Sequence, residues 1–362
     1  MKLLYITNGI KGAGGLERVL AVKASFLAEK MGYEVHILVL NQENDTYFYE
    51  FSDKIKVHSI SVSGNPIRYL RMYISGIQSC VASLQPDIIS VCDDGLKGFF
   101  LPLLIKAKGI VYERHVSKVV ELGPNPSIIK RLATSVKFFL MNQLAKKFHR
   151  FVVLTQDNLK EWNGKNVVVI SNPLSFYPEQ SSNLDTKKVI AVGKQGFQKG
   201  YDRLLKSWAI VNKHHPDWSL EIYGKFDSSQ KLNLLAENLN ISNSVRFFEP
   251  EKNIQSKYLD SSIYVMSSRY EGFGMVLIEA MACGVPCVSF DCPCGPSDII
   301  TNDVDGFLVQ NGDNEAFAFK IIQLIEDKDL RVKFGQNAKE NVKRYLPEVI
   351  CKQWDELFKS LV

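Results

Sequence analysis

The sequence predicts an α/β protein built from two doubly wound parallel-sheet units of similar size. Three observations predict it. Short apolar runs without polar alternation recur along the chain, as strands buried on both faces require. Between most of them lie longer stretches with apolar spacing of three and four, the period of a covering helix. Near the middle this rhythm stops in a polar stretch and then restarts, so the strand-helix alternation is written twice.

Taken in order, strands are expected at Leu3–Thr7, Val35–Leu40, Val57–Ser61, Ile88–Cys92, Ile110–Tyr112, Phe151–Thr155 and Val167–Ser171. Helices such as Leu16–Met31 and Ile67–Leu84 lie between them. Asn172-Pro173 and the polar stretch Pro178–Thr186 read as the linker. The second half is expected to give strands at Val189–Val192, Leu220–Tyr223, Val245–Phe248, Ile263–Ser267, Val285–Phe290 and Gly306–Val309. Its helices are expected at Tyr201–His214, Gln230–Leu239, Met275–Cys283, Glu315–Glu326 and Leu330–Tyr345, with a last one at Pro347–Leu361. Residues 1–173 thus form a first domain and 187–345 a second, and 346–362 are expected to pack back on the first.

A chain of 362 residues, 46% hydrophobic and 23% charged, suits two packed cores and excludes disorder as the dominant state. Nothing at the N-terminus reads as a signal peptide, and no run reaches the roughly 18 apolar residues of a membrane span. A cytoplasmic protein is the expectation. Seven cysteines at irregular spacing argue against a disulfide framework. The cluster Cys283, Cys287, Cys292 and Cys294 lacks the paired spacing of a zinc site, so no metal is expected there. Residues 1–170 hold 22 Lys+Arg against 14 Asp+Glu, whereas 171–362 hold 22 against 25. A basic first half points to an anionic partner.

Two such units leave a cleft, and ligands of open α/β sheets bind outside the carboxyl ends of the strands. Strand-to-helix loops are therefore where the chemistry is sought. The first, Asn8–Arg18, carries Gly9, Gly12, Gly14 and Gly15 before a helix, which lets backbone N–H groups approach a phosphate. It is neither a P-loop nor a dinucleotide fingerprint. The second, Gly193-Lys194-Gln195-Gly196-Phe197-Gln198-Lys199-Gly200, places two lysines around a glycine-containing turn, a pattern suited to a diphosphate. The third runs Glu271-Gly272-Phe273-Gly274-Met275-Val276-Leu277-Ile278-Glu279 into an apolar helix. Its helix N-terminus offers free N–H groups, and Glu271 and Glu279 bracket that end with carboxylates able to accept bonds from sugar hydroxyls. A helix cap and a solvated helix face are the plain alternatives, the latter ill suited to Glu279 within the run Val276–Cys283.

The pair Glu271 and Glu279, with the Gly14-Gly15-Leu16-Glu17-Arg18 loop, Asn172-Pro173, Gly193-Lys194, Lys199-Gly200 and Gly306-Phe307-Leu308-Val309 in the same order, resembles the retaining glycosyltransferases of GT-B fold, in particular glycosyltransferase family 4. The resemblance covers nearly the whole chain. It implies a first, acceptor-binding domain and a second that binds the nucleotide-sugar donor. Glu279 should hold the ribose, and Glu271 the donor sugar. Lys194 and Lys199 should neutralise the leaving diphosphate, with Lys194 standing where the family more often has Arg. Backbone N–H groups of Phe273, Gly274, Met275 and Val276 should reach the distal phosphate and sugar. Gly14, Gly15 and Gly193 should approach the donor, and His115, after Glu113-Arg114, should lie near the reacting carbon. Glu271, His115 and Lys199 are the expected catalytic set.

The implied reaction moves a hexose or N-acetylhexosamine from a UDP-sugar, a co-substrate rather than a cofactor, to a glycan acceptor expected to be lipid-linked. Cys294-Gly295-Pro296-Ser297-Asp298 resembles the branch that builds bacterial surface polysaccharides such as capsule or lipopolysaccharide. No metal is expected in the donor domain, since the pair Asp93-Asp94 lies in the other one. The basic tract Ile128–Arg150 adds a peripheral contact with an anionic membrane as an expected partner, with no nucleic acid. A nucleotide-sugar epimerase of the same fold and a non-catalytic sugar-nucleotide-binding module are the rival readings.

Overall fold

The computed structural model describes residues 1–42, 46–93, 95–121, 123 and 127–362. Asp94 of the Asp93-Asp94 pair lies outside the described residues. The chain divides into two compact units, one of Met1–Ser175 with Pro347–Val362, the other of Phe176–Leu346.

The first unit runs β1 (Lys2–Thr7), α1 (Gly15–Lys30), β2 (Glu34–Leu40), β3 (Lys56–Ile60), α2 (Pro66–Leu84), β4 (Ile88–Cys92), β5 (Gly109–Glu113), α3 (Ile128–Ala145), β6 (Arg150–Val153), α4 (Gln156–Leu159) and β7 (Val167–Val169). Its seven strands pair in the order β3-β2-β1-β4-β5-β6-β7, all parallel. Alternate strand residues point to opposite faces. Leu4, Ile6, Ile89, Val91, Tyr112 and Phe151 pack with Tyr73 and Ile77 of α2, Phe99 and Leu101 of the 3-10 turn Leu96–Leu103, and Met141 and Leu144 of α3. The other face takes Lys23 of α1, which lies beside Tyr5 and Glu113.

The second unit runs β8 (Lys188–Val192), α5 (Tyr201–His214), β9 (Ser219–Tyr223), α6 (Leu232–Asn238), β10 (Val245–Phe248), α7 (Ile254–Leu259), β11 (Ile263–Met266), α8 (Met275–Ala282), β12 (Cys287–Asp291), α9 (Pro296–Ile299), β13 (Gly306–Gln310), α10 (Asn314–Glu326) and α11 (Lys328–Asn341). Its parallel sheet has the order β10-β9-β8-β11-β12-β13. Its core sets Val189, Leu220, Ile222, Val265 and Phe307 against Leu204 and Trp208 of α5 and Phe317 and Ile321 of α10.

The last helix, α12 (Pro347–Lys359), belongs to the first unit. Tyr33 donates to Asp355 Oδ1 at 2.8 Å, and Trp354 lies under the Lys23 ammonium at 3.9 Å. The stretch Pro178–Thr186, expected as a linker, is tied into the second unit. Ser182 donates through its hydroxyl to the Ser261 carbonyl (2.7 Å), Leu184 is buried, and the Arg331 guanidinium donates to the Leu184 carbonyl (3.1 Å). Its polarity serves backbone contacts, which sequence pattern alone reads as solvation.

Candidate active site

In the second sheet the strand order reverses between β8 and β11. The loops leaving these two neighbours flank a topological switch point, where open α/β sheets leave a ligand crevice. They are the Gly193–Gly200 and Ser267–Gly274 loops, and they are locked together. Ser267 Oγ donates to the Lys199 carbonyl at 2.8 Å. A Cβ on Gly200 (φ +64°) would collide with the Ser267 carbonyl. The Arg269 guanidinium forks onto both oxygens of Asp202 (2.9 and 2.7 Å), donates to the Phe197 carbonyl (2.7 Å) and stacks on the Phe197 ring. That brace holds Lys199 where its Nζ donates to Glu271 Oε1 at 2.7 Å. Ser268 Oγ donates to the same oxygen at 2.5 Å. Side-chain exposure is 17% for Lys199 and 7% for Glu271, so the pair sits at the edge of solvent, with the lysine the more open partner. Lys194 is exposed on the same loop, near Asp227, and no ion pair joins it to Glu271 among the described contacts.

Helix α8 begins at Met275 with Gly274 as its cap, in the left-handed region (φ +104°) and with no side chain satisfying the first turn. Met275 and Val276 are partly exposed, and the first-turn N–H groups have no side-chain cap. Phe273 is buried edge-on against Tyr345 at 5.4 Å, which leaves only its backbone for a ligand. One turn inside the helix, Glu279 is 0% exposed, and Tyr258 of α7 donates to its Oε2 at 3.5 Å. A solvated face is thereby excluded for Glu279. The loop after β12 closes the group: Glu271 N–H donates to the Pro293 carbonyl (3.0 Å), and a Cβ on Gly295 (φ +132°) would run into the Phe273 carbonyl.

The first sheet reverses between β1 and β4, so the glycine loop after β1 also lies at a switch point. Gly14 caps α1 without a side-chain bond, a Cβ there would meet the Glu17 carboxylate, and the space around Gly15 is open. Asn8 Nδ2 donates across to Asp93 Oδ1 at 3.0 Å. At the end of β5, Glu113 and Arg114, which precede His115, are buried at 1% and 2% exposure. The Glu113 carboxylate accepts from Lys23 Nζ, from Ser90 Oγ (2.5 Å) and from His115 Nε2 (3.3 Å). Burial pushes this carboxyl up, but Lys23 and His115 overcome it and hold the pKa at about 2. The His115 ring is 6% exposed and its buried Nδ1 has no hydrogen-bond partner among the described residues. With Nε2 turned to Glu113, Nδ1 is the ring nitrogen left for a ligand. Cys92, Glu113 and His115 bring three ligand-type atoms within 4.8 Å of one another. The Lys23 ammonium on that carboxylate already supplies the positive charge a cation would bring.

The model of the family described as "Glycosyl transferases group 1" matches residues 176–341, and that of "Glycosyl transferase 4-like" matches 17–146. An amylovoran biosynthesis glycosyltransferase of Erwinia amylovora is 31% identical, over 98% of this chain and 99% of its own length. The chain belongs to the group 1 glycosyltransferases. A poly(ribitol-phosphate) alpha-N-acetylglucosaminyltransferase of Staphylococcus aureus is 31% identical over 62% of the chain and 46% of its own length. Among solved structures, S. aureus TarM in complex with fondaparinux, alpha-GlcNAc-glycerol and UDP superposes with a TM-score of 0.82. The match covers 99% of both chains at 17% identity, which establishes the GT-B fold.

Within this glycosyltransferase chain, the structure brings Lys199, Glu271, Phe273, Gly274 and the first turn of α8 into one group, with Gly193 at the end of the adjoining β8. Glu279 lies behind that group, and Lys194 stands apart from the ion pair at its centre. Sequence reasoning missed Lys23, Arg269 and Gly295 as supporting residues. Lys23 left a signal, a lone lysine amid the core-facing Val19, Leu20, Ala24 and Leu27 of α1. Arg269 left none, because its partner Asp202 lies 67 residues away in the chain.

Proposed function

We propose that this glycosyltransferase is a retaining enzyme that moves a hexose or N-acetylhexosamine from a UDP-sugar to a glycan acceptor, lipid-linked, in bacterial surface polysaccharide biosynthesis. The observation that carries the donor assignment is the Lys199–Glu271 pair, set at a switch point beside the uncapped start of α8. An ammonium with two further protons, next to aligned free N–H groups, suits a departing diphosphate. The charge is fixed before reaction, so little reorganisation is needed as the glycosidic bond to phosphate breaks.

In this reading Glu271 keeps one oxygen on Lys199 and Ser268 and turns the other to a sugar hydroxyl. That carboxylate also stabilises positive charge at the reacting carbon. Glu279 accepts from the ribose hydroxyls, exchanging its bond from Tyr258. Lys194, on an exposed loop, closes on the diphosphate only when donor is bound. Gly14 and Gly15 offer backbone to the donor, and His115, through Nδ1, serves the reacting sugar. The acceptor hydroxyl attacks on the face that the diphosphate leaves, and the leaving phosphate oxygen takes its proton. This keeps the anomeric configuration without a carboxylate nucleophile.

Support for the donor and linkage comes from the similar proteins. One solved neighbour is a complex with UDP and alpha-GlcNAc-glycerol, and one relative is named for alpha transfer. The acceptor class rests on the amylovoran biosynthesis relative. Neither rival reading has an observation in its favour: a binding module has no need of a lysine held against a buried carboxylate. The test is proton NMR of the protein with a panel of UDP-hexoses and UDP-N-acetylhexosamines and a glycan acceptor. An α-anomeric signal on product, growing as UDP appears, is expected. A β product would overturn retention, and epimerised donor without acceptor would overturn transfer.

A further inference from the structure

The turn that carries Lys199 has three consecutive backbone carbonyls, and the loop after β11 bonds to all of them. Arg269 Nη1 donates to the Phe197 carbonyl (2.7 Å), Arg269 N–H to that of Gln198 (2.8 Å) and Ser267 Oγ to that of Lys199 (2.8 Å). Gln198 Nε2 returns a bond to the Tyr270 carbonyl at 3.1 Å. Two of the three bonds come from Arg269. Its guanidinium also lies 4.0 Å from the centre of the Phe197 ring and forks onto Asp202 in the first turn of α5. Asn311, after β13, donates to the Arg269 carbonyl at 3.4 Å and accepts from Arg203 Nη1 at 2.8 Å. The arginine is thus held by the turn itself, by the start of α5 and by the loop after β13.

Lys194 on the same loop is the contrast: it is exposed, and its carbonyl is taken by the loop's own Gly196 N–H at 2.7 Å. A lysine ammonium sits on a flexible four-carbon stem, so its charge is preorganised only where the backbone beneath it is fixed. Among the described contacts none joins the Arg269 side chain to Glu271 or to the first turn of α8, so its route to the site runs through the Phe197–Lys199 turn. We propose that Arg269 is a positioning residue for the transfer reaction, setting the Lys199 ammonium where the diphosphate departs. The inference rests on the donor-site reading above. It needs the planar fork as well as the charge: a lysine at 269 reaches one oxygen of Asp202 but cannot fork onto it, stack on Phe197 and hold the Phe197 carbonyl together.

The test is a double-mutant cycle on kcat, read as UDP release at saturating UDP-sugar with the donor and glycan acceptor that the NMR panel identifies. Arg269→Lys should lower kcat about 10- to 30-fold in the parent chain, since a small misplacement of a catalytic group is costly. In the Lys199→Met background the same change should alter kcat by less than about twofold, because the group it positions is gone. Asp202→Asn, which leaves Arg269 in place and removes one arm of the fork, should show the same pattern with a smaller fall. A residue that only supports the fold would lower kcat equally in both backgrounds, and that result would overturn the proposal. So would parent-like kcat in Arg269→Lys, which would mean that Lys199 is positioned without the fork. Parent-like kcat in Lys199→Met alone would instead bring down the donor-site reading, and the role of Arg269 with it.

Discussion

Lys199 and Glu271 show how stability and chemistry are tied in one contact. Lys199→Met leaves the Glu271 carboxylate buried with only Ser268 beside it, which costs about 3 kcal/mol of folding stability. Adding Glu271→Gln removes the unpaired charge and should restore most of that loss in a urea titration. Activity should behave differently. The single lysine change is expected to lower kcat about 10²- to 10³-fold, the usual effect of deleting a preorganised donor to a developing anion. The double variant should be no more active. Recovery of turnover along with stability would make Lys199 a structural residue. At this scale the sequence was informative: Glu271, Lys199 and Gly274 were legible because each stands in a strand-to-helix loop whose composition is unusual. The fork from Arg269 to Asp202 was not, since nothing local marks a long-range ion pair.

At the scale of elements, buried charge joins α1 to β5. Lys23, on an otherwise apolar helix face, meets Glu113 at the strand end, and α12 covers the ammonium with Trp354. Glu113 has a pKa of about 2 when folded against an ordinary 4.5. Its contribution to stability is therefore complete above pH 4.5 and is lost as the pH falls from there through about 2. Glu113→Gln should cost about 3–5 kcal/mol at neutral pH by stranding Lys23. The gap between parent and variant, measured by denaturant unfolding, should narrow as pH drops through that window. A gap that stays constant would mean Glu113 is not the charge Lys23 needs. The strands were readable because near-continuous apolar runs have few other uses. Helix faces were less so: the basic tract that forms α3 was read for its charge, and only its placement on the sheet shows that its outer side is apolar.

For the whole molecule, two parallel sheets follow from the repeated strand-helix rhythm, and the structure sets their reversal points at β1/β4 and β8/β11. The order of strands within each sheet, and hence which loops become neighbours, is long-range information that no local pattern carries. The boundary moved for a similar reason. The polar stretch Pro178–Thr186 looked like a free connector, yet its Ser182 hydroxyl donates to the Ser261 carbonyl and its Leu184 carbonyl accepts from Arg331, both within the second unit.

The central claim is a nucleotide site on the second unit, at the Lys199–Glu271 pair. Thermal unfolding with UDP, GDP and ADP tests it most directly. UDP should raise the melting temperature of the parent chain by mass action, by about 2.7 kcal/mol of stabilisation at a hundredfold excess over Kd. It should do so far less for the Lys199→Met/Glu271→Gln variant. No shift with any of the three nucleotides, or an equal shift in that variant, would contradict the site.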